Sequence, residues 1–106
     1  MLNQVVLVGR LTKEMEVKEM EDGKKVAHIE LAVGRSVKNA DGEYDNDFID
    51  CTLWNGVTEN TAEYCHKGDI LGVKGRIQTE VIDDVKQTSI IAEKVTFLST
   101  HKPEDK

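Results

Sequence analysis

A chain of 106 residues with 39% apolar residues, a single proline and a net charge of −6 has the size and composition of one domain with a modest hydrophobic core. It holds no run near the ~18 apolar residues of a membrane span, and residues 1–20 lack the architecture of a signal peptide, so a cytoplasmic location is expected. The negative total argues at first against nucleic acid, but its distribution matters more than its sum: residues 1–40 carry +1, residues 41–66 carry −7, and residues 67–106 are neutral. The acidity is confined to one stretch, which leaves the rest able to present a local basic groove.

Asn3 to Lys13 is expected to form a long strand, with Gly9 marking a bulge or sharp bend that lets one strand serve two sides of a small barrel. Glu16 to Met20 reads as a charged edge continuation, and Glu21-Asp22-Gly23-Lys24 as a turn. Lys25 to Val37 returns as a second strand, with Ala27, Ile29, Leu31 and Val33 on its apolar side and His28, Glu30 and Ala32 opposite. Asn39 to Glu43 is a hairpin loop.

The third strand, Asp47-Phe48-Ile49-Asp50-Cys51-Thr52-Leu53-Trp54, is the most informative stretch. Alternation puts Ile49, Cys51 and Leu53 on a core face and Phe48, Asp50, Thr52 and Trp54 on the other. Two large rings on the polar side, roughly 20 Å apart along the strand, have two readings. They form a platform on which unpaired bases stack, or they close a second small core or a subunit interface.

Beyond Trp54, Thr58 to Lys67 is expected to be a short helix with Thr58 as N-cap and Gly68 as the C′ glycine, Ala62 and Tyr64 facing the barrel end. Asp69 to Thr79 makes the fourth strand, Leu71, Val73 and Ile77 alternating with Lys74, Arg76 and Gln78. A tight turn at Asp83-Asp84 leads to the last strand, Thr88 to Leu98, and residues 99–106 form a short charged tail. The expected fold is all-β, with one short helix between strands 3 and 4. That order is the plan of a five-stranded OB-fold Greek-key barrel, an architecture that binds oligonucleotides and oligosaccharides; five strands can also make an open sheet.

Catalytic chemistry is not visible. Asp45, Asp47 and Asp50 are acidic neighbours, but Asp47 and Asp50 point to opposite strand faces and do not converge on a cation. Cys51 and Cys65, with thirteen residues between them, and the scattered His28, His66 and His101 make no zinc set, and the thiols read as reduced structural residues. No catalytic residue, metal site or cofactor is expected. The candidate phosphate contacts are Arg10, Lys13, Arg35, Lys38, Lys74 and Arg76, all on strands or strand ends.

Four motifs in order, Asn3 to Leu11, Leu31-Ala32-Val33-Gly34-Arg35, Asp47 to Trp54 and Lys67 to Thr79, resemble those of the bacterial single-stranded DNA-binding proteins over roughly residues 1–98. The resemblance implies an OB-fold, commonly homotetrameric, that coats exposed single strands in replication, recombination and repair without a catalytic step. It makes Phe48 and Trp54 two of the family's stacking residues. Two further positions, usually aromatic, are Val37 and Ile82 here, which implies weaker binding or a shifted strand path. The hairpin at Asp83 to Gln87 is also shorter than usual. The family commonly continues into a flexible linker and an acidic tip; the sequence here closes on Lys102-Pro103-Glu104-Asp105-Lys106, which reads either as a shortened chain or as a short version of the kind some phages and mobile elements carry, and which of the two holds decides whether proteins are recruited through a tail. A second reading, from a different class, is a dimeric OB-fold adaptor resembling primosomal replication protein N.

Overall fold

The computed structural model describes residues 1–98; the charged tail expected at 99–106 lies outside the described residues. The elements run β1 (Val5–Leu11), β2 (Glu16–Glu19), β3 (Lys25–Lys38), β4 (Tyr44–Trp54), α1 (Asn55–Tyr64), β5 (Ile70–Ile82) and β6 (Val85–Phe97). Pairing proceeds β1-β5-β6-β4-β3, and β1 pairs with β3 as well, through Arg10 opposite Ala32 and Leu11 opposite Leu31, so the five long strands close on themselves. β2 is the charged continuation read from the sequence, a four-residue edge paired to the start of β3. The fold is the expected OB-type barrel, with the helix between the third and fourth of its five long strands.

Inward alternation fills the barrel with Leu11, Ala27, Ile29, Leu31, Cys51, Leu53, Leu71, Val73 and Ala92, all buried. Gly9 marks no bulge: β1 pairs with β5 without a break from Val5 to Arg10. It marks a close approach instead, since a Cβ there would lie 2.8 Å from the Ala32 carbonyl oxygen, at the seam where β1 passes from β5 to β3. The irregularity lies on the other wall, where the β5–β6 register shifts between Lys74 and Gly75 and leaves Glu93 as an extra residue on β6.

The helix begins three residues earlier than the sequence suggests. Asn55 takes a left-handed φ of 50°, a conformation asparagine tolerates better than most residues, and this turns the chain from β4 directly into α1. Trp54 is the N-cap and makes no side-chain cap bond. Thr58 is therefore an interior residue, fully buried, and it faces the barrel with Thr61 and Cys65. Ala62 and Tyr64 are exposed, contrary to expectation; Tyr64 meets Phe97 edge-on at 5.7 Å between ring centres. Gly68 is not the C′ residue, because the helix ends at Cys65 in extended conformation. Its φ of +96° serves a later turn, from which its N–H donates to the Leu11 carbonyl at 2.8 Å.

β5 and β6 run past the barrel as a two-stranded arm, longer than the expected Asp69–Thr79 and Thr88–Leu98. Their tip is a two-residue turn with left-handed φ at Asp83 (52°) and Asp84 (64°), the hairpin geometry matched to strand twist. Ile77 keeps its inward phase, but it sits on the arm and is 45% exposed.

Burial pushes the Cys51 thiol up to about 11 and the Cys65 thiol up to about 12. Thiolate is the reactive form, so neither cysteine is expected to react with a thiol-specific disulfide reagent at pH 8 until denaturant is added. Stoichiometric labelling of the native protein would contradict this placement.

Candidate nucleic-acid interface

β4 presents Tyr44, Asn46, Phe48, Asp50, Thr52 and Trp54 on one face and Ile49, Cys51 and Leu53 on the other, as alternation requires. Phe48 is 62% exposed and Trp54 38%, so neither ring is sealed in the barrel or in a second core. Register extends this face across the neighbouring strands. Phe48 lies opposite Ala32, and Ala32 opposite Arg10, so Arg10, Ala32 and Phe48 form one outward row. Trp54 lies opposite Val26, and the next row toward Phe48 holds His28, Thr52, Ile91 and Arg76; of these residues Val26 and Ile91 are buried. In that row Thr52 Oγ1 and His28 Nδ1 are 3.3 Å apart.

The candidate cations do not all converge on this face. Arg10 is exposed, and one guanidinium N–H donates to the Gly68 carbonyl at 2.7 Å, leaving further donors free to reach outward. Arg76 shares the ring face but is engaged by Glu93 at 3.3 Å and by Gln78 at 3.0 Å. Lys38 stands at the end of β3 with its Nζ 5.7 Å from the centre of the Tyr44 ring. Lys13 is exposed in the β1–β2 connection. Arg35 is clamped by Asp47, Nη2 donating at 2.8 Å and Nε at 3.1–3.2 Å, and Asp47 belongs to the strand face opposite Phe48. That guanidinium holds the Asp47 carboxyl below the usual carboxylate range through hydrogen bonding, so the pair persists at neutral pH and loosens only as acid protonates Asp47. Lys74 lies in a row with Val6 and Lys94 on the outer wall of β1, β5 and β6, away from both rings.

Acidic side chains punctuate the ring face. Glu30 and Asp50 stand directly opposite each other between the Phe48 and Trp54 rows, an unfavourable like-charge arrangement, relieved in part by the Thr12 hydroxyl donating to Glu30 at 2.8 Å. The groove beside Trp54 is lined by Glu19, Met20, Glu21, Asp22 and Lys24. The face is therefore locally basic at Arg10 and acidic toward Trp54. Among the described residues no group of three or more His, Cys, Asp or Glu could hold a metal ion, and no helix is long and apolar enough to cross a membrane.

The face carries one further ring that the predicted strand, starting at Asp47, leaves out. This is Tyr44, 59% exposed; its even-numbered phase with Phe48 is the available signal. Val37 and Ile82, the two aliphatic replacements, are 75% and 53% exposed.

A family model described as the single-strand binding protein family matches residues 2–98. The chain belongs to that family. Among its relatives, single-stranded DNA-binding protein B of Bacillus subtilis (strain 168) is 48% identical over 111 residues, covering 100% of this chain and 97% of the relative. A single-stranded DNA-binding protein of Halalkalibacterium halodurans is 47% identical over 92% of this chain but only 61% of its own length. The crystal structure of a deletion mutant of the Thermus aquaticus single-stranded DNA-binding protein superposes with a TM-score of 0.80 at 21% identity, covering 92% of this chain and 51% of that one. At that identity the likeness establishes a shared fold. Within this single-strand binding family member, the face of β4 is where exposed rings coincide with a nearby unclamped arginine.

Proposed function

We propose that this protein binds unpaired DNA without strong sequence preference, stacking bases on Phe48 and Trp54 and meeting phosphates with Arg10, Lys13 and Lys38, with Arg76 at the margin of the face. The observation that carries the reading is the exposure of both rings on one strand face beside Arg10. Base stacking is sequence-tolerant because every base has a π-face. Family membership and the names of the relatives support single-stranded DNA as the ligand, and with it a non-catalytic, cytoplasmic role in protecting strands during replication, recombination and repair. Val6 and Val8, 68% and 54% exposed on the outer wall of β1, support assembly with further copies, as a homotetramer or through a dimer. The adaptor reading is not favoured, since the family match spans the whole barrel.

Trp54 is the only tryptophan, so its emission tests the proposal. Titration with oligothymidine is expected to quench it, and an abasic oligomer of the same length to quench it far less. Constant emission throughout would contradict a base on the indole.

The carboxylates set a second expectation. Asp50→Asn removes one charge of the facing pair from the middle of the proposed path, and at low salt it is expected to tighten oligothymidine binding by about 2- to 5-fold, the scale of one screened charge interaction near a protein surface. The gain should shrink as salt rises. An unchanged or weaker affinity at low salt would show that the strand does not pass Asp50.

A further inference from the structure

Tyr44 and Lys38 face each other across the β3–β4 hairpin, with Lys38 Nζ 5.7 Å from the ring centre. Tyr44 is in phase with Phe48, four residues or about 13 Å farther along β4, and 59% of it is exposed. We infer that this pair is a second nucleic-acid contact carried on the hairpin arm, the tyrosine ring receiving a base and the lysine ammonium its phosphate. The inference rests on the reading of the β4 face as the DNA-binding surface and extends that surface beyond the barrel.

The arm is built to hold the pair in place. Asn39 organises the intervening loop: its N–H donates to the Glu43 carbonyl at 2.7 Å and its carbonyl accepts from Gly42 N–H at 3.0 Å. Its side-chain oxygen accepts from the N–H groups of Asp41 (2.9 Å) and Glu43 (3.0 Å), and its amide donates to Asp45 at 3.1 Å. A ring presented by a loop fixed in this way loses less freedom on binding than one on a loose loop. Asn39 also occupies one oxygen of Asp45, a carboxylate close to the pair. An aromatic face beside a cation is the combination that takes single strands irrespective of sequence. A role confined to hairpin stability would leave DNA affinity untouched when the ring is removed.

The test measures oligothymidine affinity of the full chain at several salt concentrations for Tyr44→Ala, Tyr44→Phe and Lys38→Gln, with Phe48→Ala in parallel. Tyr44→Ala is expected to bind at least about 5-fold more weakly, Tyr44→Phe within about twofold of the parent, and Lys38→Gln with a salt slope flatter by about one. Thermal melts confirm that each variant is folded at the temperature used. Parent-like affinity of Tyr44→Ala, or equal losses in Tyr44→Ala and Tyr44→Phe, would overturn the inference. If Phe48→Ala weakens binding while Tyr44→Ala does not, the arm contact alone fails; if neither does, the reading of the whole β4 face fails with it.

Discussion

Phe48→Ala is expected to weaken binding of oligothymidine by about 5- to 150-fold, the equivalent of ~1–3 kcal/mol for one aromatic stacking residue, a general range for which single-strand binding proteins are themselves type cases. The expectation depends on three placements. Phe48 is 62% exposed, so its removal leaves no core cavity and thermal stability should change little. It faces the same way as Trp54, so one strand can meet both rings. It lies in the row of Arg10 and Ala32, so the ring is flanked by a small side chain and, one strand farther, by an exposed arginine. Because the lost energy comes from stacking, the salt slope should stay that of the parent while affinity falls at every salt concentration. Equilibrium titration at three or more ionic strengths checks both halves. Parent-like affinity, or a loss accompanied by a lower melting temperature, would remove Phe48 from the contact surface.

The second large effect concerns the barrel. Gly75→Ala is expected to destabilise the protein by about 3 kcal/mol, the upper part of the usual range for overpacking, which for a domain of this size lowers the melting temperature by roughly 12–24 °C. A Cβ at this position would run into the Ile91 carbonyl oxygen and approach the Ala92 Cα to 3.1 Å. Both obstacles are backbone, so no side-chain rotation relieves them. They belong to β6 at the point where Glu93 is extruded and the β5–β6 register shifts. Relief would require β6 to move, and β6 also closes the barrel through its short parallel pairing with β4 at Cys51–Ile90 and Thr52–Ile91. A thermal melt followed by circular dichroism is the check; a midpoint within a few degrees of the parent would mean that the two strands do not approach as described.

Local alternation made much of this molecule readable in its sequence. The core face of β3 and the split of β4 into apolar and ring-bearing sides follow from the twofold period of a strand, and both stand in the structure. The Asp83-Asp84 turn was legible because two acidic residues between apolar runs suit a left-handed two-residue loop. What stayed hidden depends on register or on a backbone choice that several sequences satisfy. Thr58 had the chemistry of an N-cap, but Asn55 could turn left-handed and start the helix at once, so the threonine became a barrel-facing residue. Ile77 had the right phase for the core, yet phase does not say where a barrel ends and an arm begins. Arg35 read as available to phosphate until cross-strand geometry set it against Asp47, and Tyr44 was lost because the acidic stretch before Asp47 looked like a turn. Charge partners across strands are set by which residues face one another, and that is a property of the closed sheet.

The proposed binding mode lays unpaired bases on the outward face of β4. Its most direct measurement is photo-crosslinking of the full chain to an oligonucleotide carrying halogenated uracils, with the attached residues identified by mass spectrometry. Adducts on Phe48 and Trp54, lost when an abasic competitor is replaced by excess oligothymidine, are the expected result. Adducts confined to the outer wall of β1 and β5, around Val6 and Lys74, with none on β4, would contradict it.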